Sequence, residues 1–426
     1  MVASSLLLAL LAQGAPVPPA SPAALSTELP ASAYQARRQR VMDELGGCMA
    51  LLTARGSASG ATETFRQDGD FLWLTGVNEG EAWILLAPKS KYDKTHLFLR
   101  PRDVERERWT GPRDPLTPAL KKKHGVDRVT RGGPERAAVA AAQQTDCIAI
   151  IAPAQDFQAD RPDAALSHKI AEELGLRTVY KRDLVGRLRS AHTAEELAMM
   201  DRSLAITRAG HEAAARTTVA GARERDIQTE IEYAFLRAGG TGTAYGTIVG
   251  SGPNGTVLHW DQNTRRLQPG ELVVVDAGAE FGRYATDITR TYPVSGTFSP
   301  EQAKAYRAVY QAQEDVFAAI KPGVAYEDLQ RVAEQSLEKS GYLDYFIHGL
   351  GHFVGLDVHD AGVYSAPLPV GAVFTVEPGV YIPEKGFGIR IEDQVLITAD
   401  GYRVLSMDIP RKLEDVEAWV ARARAK

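Results

Sequence analysis

The strongest constraint on the fold is a pair of strand-like segments that each carry a carboxylate and are separated by a short glycine-containing turn. The apolar run that begins at Leu272 ends in Asp276, and the next segment carries Asp287. A tight hairpin centred between Phe281 and Gly282 would place the two aspartates directly opposite each other, with Cβ atoms about 5 Å apart. Facing carboxylates repel, so this pairing requires a cation or a shared proton. The alternative is a hairpin shifted by two residues, with both aspartates facing solvent.

A glycine-rich segment of twelve residues contains three histidines, His348, His352 and His359. Two histidines four residues apart could bind zinc on a helix, but no glutamate follows His348 as the HExxH arrangement requires. Glycines at positions 349, 351 and 355 also disfavour a helix. Because glycines let the backbone approach closely, the segment is less easily explained as a set of ordinary core or surface histidines.

Two further glutamates follow strand-like segments. The run Val373–Val376 leads into Glu377 and a Pro-Gly turn. Near the C-terminus, Arg390 and Glu392 share one face of a strand because side chains alternate along it. A structural salt bridge would be enough to explain the Arg390 and Glu392 pair taken alone.

Together these segments supply four carboxylates and one imidazole, which are the candidate metal ligands. They are Asp276, Asp287, His352, Glu377 and Glu392. Two divalent cations would balance four carboxylates, and an oxygen-rich set with one imidazole favours Mn²⁺, with Co²⁺, Fe²⁺ or Zn²⁺ as compatible alternatives. Two-metal hydrolases hold their ions about 3.5–4 Å apart, which requires bridging carboxylates.

The chain of 426 residues is long enough for two domains. Alternating strand and helix patterns over residues 34–183 predict an α/β domain. Residues 184–426 predict an α+β domain with a curved antiparallel sheet, opened by a capping-box sequence at Thr193. Predicted strands of the first part are Cys48–Leu52, Phe71–Leu74, Trp83–Leu86, His96–Leu99 and Cys147–Ile151. Predicted helices are Ala33–Leu45, Pro162–Leu174, Ala194–Arg216, Asp226–Ala238, Pro300–Ile320 and Tyr326–Ser340.

Composition excludes several classes of protein. A net charge of −5 gives no general basis for binding nucleic acid. Ordinary apolar and charged fractions, 44% and 24%, exclude a disordered chain. No apolar run reaches the roughly 20 residues that span a bilayer, so no stable membrane anchor is expected. The interleaved charges of Arg102–Arg108 are typical of a solvated helix face.

Residues 1–33 differ from the rest of the chain, with five prolines and a single charged residue, Glu28. The apolar stretch Val2–Ala12, followed by a Pro/Ala/Ser-rich linker, indicates a signal peptide and a periplasmic or secreted protein. The alternative is an over-extended start or a disordered leader on a cytoplasmic protein. Cys48 and Cys147 are either two buried thiols or, in an oxidising compartment, a disulfide.

The motif set resembles the pita-bread metallopeptidases, which include methionine aminopeptidase, prolidase and aminopeptidase P. The order Asp, Asp, His, Glu, Glu is the ligand order of that family. Its proline-specific motifs are matched by His348-Gly-Leu-Gly-His352 with Val358-His359-Asp360, by Val376-Glu377-Pro-Gly379 and by Ile389-Arg390-Ile-Glu392-Asp393. The first half is similar to aminopeptidase P through Phe65-Arg-Gln-Asp68 and Phe71-Leu-Trp-Leu-Thr-Gly76.

The resemblance implies a role for each candidate ligand. Asp276 would bind one metal ion, Asp287 and Glu392 would bridge both ions, and His352 and Glu377 would bind the other. A hydroxide between the ions would attack the scissile carbonyl. Glu377 would also carry the proton to the departing proline nitrogen.

The resemblance implies further residues that contact the substrate. His359 would stabilise the charge of the tetrahedral intermediate. His259 would lie near the substrate's amino end and the scissile nitrogen, and His348 would line the proline pocket. Arg390 would steady the site and the part of the substrate beyond the bond. Thr289 would either orient a metal ligand or only pack within its strand.

The implied activity is an aminopeptidase that removes the first residue from peptides with proline second, acting as a homodimer or homotetramer. An Xaa-Pro dipeptidase (prolidase) shares all the metal ligands, but the first-half resemblance and Gly349-Leu-Gly351 favour the aminopeptidase. A catalytically inactive peptide-binding module and a metal-free hydrolase like creatinase are disfavoured, because all five ligands are present.

Overall fold

The structure is a computed structural model that describes residues 26–56, 65–152 and 161–425. The predicted signal-peptide core, residues 2–12, lies outside the described residues. The first helix begins at Ala31, within the segment assigned to leader and linker, directly after Pro30. Among the described residues, no helix is long and apolar enough to cross a membrane.

The N-terminal half is built on one six-stranded sheet with the strand order β4-β3-β2-β1-β5-β6. Strand β1 pairs antiparallel with β2 and parallel with β5, so the sheet is mixed. The α/β class predicted for this half is confirmed. Its elements are α1 (Ala31–Glu44), β1 (Met49–Thr53), α2 (Gly69–Thr75), β2 (Trp83–Leu86), β3 (Thr95–Leu99), α3 (Val104–Thr110), α4 (Pro118–His124), β4 (Arg128–Arg131), α5 (Glu135–Ala142), β5 (Cys147–Ala152), α6 (Pro162–Leu174) and β6 (Arg177–Arg182).

The C-terminal half combines long helices with antiparallel sheets, as the predicted α+β class requires. Its strands form three-stranded sheets ordered β12-β9-β8, β11-β10-β7 and β13-β16-β17, and the pair β14-β15. Its elements, after the connecting helix α7 (Leu184–Arg189), are α8 (Ala194–Thr217), α9 (Glu224–Arg237), β7 (Gly242–Thr243), β8 (Ile248–Ser251), β9 (Leu272–Asp276), β10 (Ala279–Phe281), β11 (Tyr284–Ala285), β12 (Thr289–Pro293), α10 (Pro300–Ala319), α11 (Tyr326–Ser340), β13 (Val373–Val376), β14 (Gly379–Ile382), β15 (Phe387–Arg390), β16 (Asp393–Thr398), β17 (Gly401–Val404) and α12 (Leu413–Arg424). One hydrophobic core contains residues of both halves, among them Trp73 and Phe281.

Most predicted elements occur within three residues of their predicted bounds, and α6 and α11 have them unchanged. The capping box at Thr193 is formed, since its hydroxyl accepts from the Glu196 N–H and the Glu196 carboxylate accepts from the Thr193 N–H. Helix α3 contains no buried residue, which confirms the solvated face predicted around it.

The strand predicted at Phe71–Leu74 is wrong, because these residues belong to helix α2. The Asp68 carboxylate caps the helix by accepting from the Phe71 N–H, and Gly76 ends it in the left-handed conformation. The run is buried on every side of the helix, so its hydrophobicity shows no helical period and mimics that of a buried strand.

The hairpin that carries the two aspartates also differs from its predicted register. Asp276 pairs with Thr289, not Asp287, because the turn residues are Gly282 and Arg283, both with positive φ. Positive φ at both positions is typical of a two-residue hairpin turn. The centre of the hairpin therefore lies one residue further along the chain than predicted, and the partner of Asp276 moves by two residues. An even shift keeps Asp287 on its predicted face. The two-residue shift of the alternative hairpin therefore occurs, but its solvent-facing aspartates do not, because both carboxylates are buried.

Cys48 and Cys147 form a disulfide between the adjacent ends of β1 and β5, with Cα atoms 4.8 Å apart. Both residues are buried. Of the two alternatives left open by the sequence, the structure therefore contains the bonded one. The bond closes a loop of 99 residues within the N-terminal half.

Replacing both cysteines, Cys48→Ala with Cys147→Ala, is expected to lower the free energy of unfolding by roughly 2–4 kcal/mol, because the loop no longer constrains the unfolded chain. Urea unfolding of the two proteins measures this difference. Dithiothreitol should lower the Tm of the parent protein and leave that of the double variant unchanged. Two reactive thiols in the denatured, unreduced parent would contradict the bond.

Candidate active site

The five predicted ligands lie together around one cavity of about 240 Å³, which is also lined by His259, His348, His359 and Arg390. Each of the four carboxylates stands at or just beyond the end of a strand. Asp276 ends β9, Asp287 precedes β12, Glu377 follows β13 and Glu392 follows β15. His352 lies in the irregular segment between α11 and β13. Strands whose ends converge thus hold the carboxylates, and a glycine-rich loop brings in the imidazole.

Backbone hydrogen bonds fix the ligand-bearing segments to one another. The Glu392 N–H donates to the Thr289 carbonyl, at 3.1 Å, and the Glu377 N–H donates to the Leu350 carbonyl, at 2.9 Å. The His352 carbonyl accepts from the Thr375 N–H at 2.8 Å. The segment of residues 348–360, here called the histidine loop, is therefore hydrogen-bonded directly to the strand that precedes Glu377.

The ligand atoms are close enough to share a cation. His352 Nε2 lies 3.3 Å from Asp287 Oδ2 and 3.5 Å from Glu377 Oε1. Asp287, His352 and Glu392 each present a ligand atom within 4.8 Å of the other two. Within the described part of the chain, no other set of three such residues meets this distance.

Two buried oxygen atoms at the centre of the site have no hydrogen-bond partner. They are Asp287 Oδ1 and Glu392 Oε1, which belong to the two residues expected to bridge the ions. Leaving a buried charged acceptor unsatisfied is costly, so such atoms require a partner that the side chains do not provide. Divalent cations fit this position, because the donors are carboxylate oxygens with one imidazole nitrogen.

Burial and mutual repulsion hold protons on this cluster. Burial, with the charge of Asp276, raises the pKa of Asp287 to about 6. Burial and the neighbouring carboxylates raise the pKa of Glu377 to about 7, and that of Glu392 well above its usual range. Burial alone would lower the pKa of His352, but its hydrogen bond to Asp287 and the nearby charges raise it to about 9.

A shell of polar side chains orients the ligands from behind. Thr289 Oγ1 donates to Glu392 Oε2 at 2.6 Å and accepts from Arg390 Nε at 3.0 Å. Arg390 Nη2 donates to Asp276 Oδ2 at 2.6 Å. His352 Nδ1 lies 3.1 Å from the Phe353 carbonyl, which suits a donated N–H and leaves Nε2 facing the carboxylates. Thr289 therefore contacts a candidate ligand and does more than pack within its strand.

The three other histidines border the same cavity. His348 Nε2 lies 3.0 Å from the Tyr381 hydroxyl, and burial lowers the pKa of this histidine to about 4. The His359 ring packs edge-on against His352, with centroids 4.1 Å apart. Its pKa is lowered by burial and by His352. His259 lines the cavity and is exposed.

Two tyrosines of the site were missed by the sequence analysis. Tyr381 bonds both His348 and Arg390. It lies on β14 two residues beyond Gly379, the partner of Arg390 in the neighbouring strand, and therefore shares the sheet face of Arg390. Strand alternation could have found it. Tyr245 donates to Asp276 Oδ1 at 2.5 Å from an irregular segment, where no periodic pattern marks it.

Comparisons with known proteins match both halves of the chain. Residues 198–399 match metallopeptidase family M24, and residues 34–133 match the aminopeptidase P N-terminal domain. A Haemophilus influenzae Xaa-Pro aminopeptidase is 32% identical over 92% of this chain and 98% of its own length. The structure of Pseudomonas aeruginosa aminopeptidase PepP has a TM-score of 0.84 at 30% identity, covering 94% of this chain and all of that one. A Pyrococcus furiosus Xaa-Pro dipeptidase is 36% identical over 57% of this chain and 72% of its own length.

Binding of Mn²⁺ to metal-depleted protein is expected to release protons at pH 7, because the ion displaces those held by the cluster. The apparent affinity should therefore rise as the pH increases from 6 towards 9, through the raised pKa values of Asp287, Glu377 and His352. Isothermal titration calorimetry in buffers of different ionisation enthalpy measures the released protons.

The variant Asp287→Ala should bind far less Mn²⁺, while Asp400→Ala, at an exposed turn bonded to Thr398, should bind as the parent protein does. Heats that are independent of the buffer, or an affinity that falls with rising pH, would contradict the protonated cluster.

Proposed function

The chain belongs to metallopeptidase family M24 and carries an aminopeptidase P N-terminal domain, and on this premise we propose that it is a dinuclear Xaa-Pro aminopeptidase. Its substrates would be peptides with proline as the second residue. The observation that carries the proposal is the convergence of five ligands around the unpartnered oxygens of Asp287 and Glu392, in a cavity that three further histidines border.

The residues that would hold the two divalent ions are Asp276, Asp287, His352, Glu377 and Glu392. When bound, such ions would polarise the scissile carbonyl and lower the pKa of water, so that a hydroxide nucleophile would be available near neutral pH. We propose Mn²⁺ as the native metal because oxygen ligands dominate the set, with Co²⁺, Fe²⁺ and Zn²⁺ as alternatives.

Proline determines what the protein residues must do. A proline nitrogen has no N–H for an enzyme to grip. It belongs to a tertiary amide and must take up a proton as the C–N bond breaks, so that it departs as a secondary amine. Glu377 is suited to carry that proton, because its carboxylate lines the cavity beside the other candidate ligands. Its Oε1 accepts from Thr375 Oγ1 at 3.1 Å, which orients the carboxylate.

His348 and His359, whose pKa values are lowered, act in their neutral forms near pH 7. His359 has a lowered pKa, and a neutral imidazole can still donate one hydrogen bond to the oxyanion. His348 stands edge-on to Phe346 and to Tyr381, with ring centroids 5.1 and 5.4 Å away, and so supplies one wall for a proline ring. His259 would bind the amino end of the substrate from the exposed side of the cavity.

Arg390 supports the site through its own contacts. Its three nitrogens donate to Thr289, Tyr381 and Asp276. Such a guanidinium holds the strand ends in place, and this favours a role in steadying the site over direct contact with the substrate.

The aminopeptidase is favoured over an Xaa-Pro dipeptidase by the N-terminal half. The Haemophilus aminopeptidase matches nearly the whole chain, whereas the Pyrococcus dipeptidase matches 57% of it. We also propose that the enzyme is a homodimer or homotetramer, which light scattering of the purified protein would establish.

Metal-depleted enzyme reconstituted with Mn²⁺ is expected to release glycine from Gly-Pro-Ala and from longer Gly-Pro peptides, because an aminopeptidase leaves the space beyond proline open. Parallel assays with Co²⁺ and Zn²⁺ rank the metals, and Gly-Ala-Ala controls for proline specificity. Hydrolysis of the dipeptide Gly-Pro without hydrolysis of the longer peptides would establish the dipeptidase instead.

We propose that the protein is exported to the periplasm or secreted. The leader pattern of residues 1–33 and the disulfide support this, because such bonds persist in oxidising compartments. Mass spectrometry of the protein from its native source should show an N-terminus downstream of Ala12. Recovery of the chain with Met1 intact would refute export.

A further inference from the structure

We propose that Arg189 is a positioning residue for the loop that carries His352 and His359, and that Asp70 of the N-terminal half holds Arg189 in place for this task. The kinetic part of the inference rests on the proposed function. The order of the loop itself does not depend on that function.

One buried guanidinium joins three carboxylates from two parts of the chain. Arg189, at the end of the connecting helix α7, donates from Nη1 to Asp70 Oδ1 at 2.8 Å. Its Nη2 donates to Asp357 Oδ2 at 2.9 Å and to Asp360 Oδ1. Asp70 belongs to helix α2 of the N-terminal half, whereas the other two aspartates belong to the histidine loop.

Asp360 closes the loop between the two histidines. Its Oδ2 accepts from the Leu356 N–H at 3.0 Å, and its own N–H donates to the Phe353 carbonyl at 2.8 Å. The closed turn begins next to His352 and contains His359, whose ring lies 4.1 Å from that of His352. The aspartates of the turn bind Arg189, and the histidines of the same short segment line the catalytic cavity. Arg189 can therefore influence the positions of both imidazoles through this segment.

Neighbouring contacts leave this segment little freedom. His192 Nε2 lies 3.0 Å from the Val354 carbonyl, and the Ala285 N–H donates to the Gly355 carbonyl at 2.8 Å. Two glycines make room for the charges, because an added Cβ would lie 2.0 Å from Asp360 Oδ2 at Gly355 and 2.2 Å from Arg189 Nη2 at Gly69. The ion cluster is therefore packed against backbone from both halves.

Other charged groups nearby are already paired. Arg66 donates to Glu280 at 2.5 Å and lies 3.9 Å from Asp357, which is partly exposed. Arg283 lies 3.8 Å from Glu280 and donates to the Gln67 carbonyl at 3.0 Å. Asp360 is buried, and the ion pair it makes is with Arg189. Removing the arginine would leave a buried unpaired carboxylate, which is costly enough to endanger folding.

The informative variants are therefore conservative ones. Arg189→Lys keeps the positive charge, but a single ammonium cannot reproduce the planar fork that reaches Asp70 and Asp360 together. Asp70→Asn removes the negative charge by which the N-terminal half binds the Arg189 guanidinium. Arg187→Lys is the matched control, because Arg187 lies on the same helix and forms an exposed ion pair with Glu44.

Two readouts are measured on the Mn²⁺-loaded full chain. Hydrogen–deuterium exchange compares peptides that cover residues 350–362 with peptides from α10, and steady-state kinetics on Gly-Pro-Ala give kcat and KM. We expect Arg189→Lys and Asp70→Asn to speed exchange in the histidine loop alone. Because small displacements of catalytic groups lower the reaction rate strongly, kcat should fall about tenfold or more while KM changes by less than about threefold. The control should match the parent protein in both readouts.

Faster exchange throughout α10 with a parallel fall in Tm would show a merely structural role and overturn the proposal. Parent-like exchange in both variants would also overturn the proposal, and so would faster loop exchange with a parent-like kcat. If only Arg189→Lys changes loop exchange and kcat, Asp70 has no part in positioning the loop. If Arg189→Lys does not fold, Asp70→Asn decides. If the parent protein does not cleave Gly-Pro-Ala, the proposed function fails, and the exchange data still decide whether Arg189 orders the loop.

Discussion

Repulsion among buried carboxylates is the constraint on which the C-terminal half depends. Asp276, Asp287, Glu377 and Glu392 share one small cavity, and burial raises the pKa of three of them. A protein can keep such a cluster only if a cation or protons neutralise it and if the surrounding structure prevents the groups from turning away. The unpartnered oxygens of Asp287 and Glu392 show where neutralisation is incomplete without bound cations.

The scaffold meets this demand by placing the acids beside paired strands, whose hydrogen bonds hold the backbone. Each carboxylate lies at or beside the end of an antiparallel strand, and side chains behind it carry the orienting hydrogen bonds. Thr289 and Arg390 form a chain that links Glu392 to Asp276, so two ligands from distant segments are held by one pair of residues. Preorganised groups of this kind cost no reorganisation when charge develops in a reaction.

The histidine loop lacks strand partners along most of its length and obtains its order differently. It is bound on one side by the strand that precedes Glu377 and on the other by Arg189, whose orientation depends on Asp70 of the N-terminal half. A core that contains Trp73 together with Phe281 keeps the two halves in contact. The N-terminal half thus contributes to the order of the active site as well as to the surface around it.

The sequence alone determined the residue types at the site, the strand ends that carry them and the bounds of the main helices, because periodicity, capping and charge act over a few residues. It also predicted the two fold classes. Contacts between distant residues decided the rest. The turn at Gly282 set the register of Asp287, and pairing of β1 with β5 brought Cys48 to Cys147. Burial on all sides removed the helical period from Phe71–Leu74, which is why this helix resembled a strand in the sequence. Tyr245 and Arg189 carry no local pattern, since their partners lie more than 30 and 100 residues away, and only the folded chain places those partners within hydrogen-bond distance.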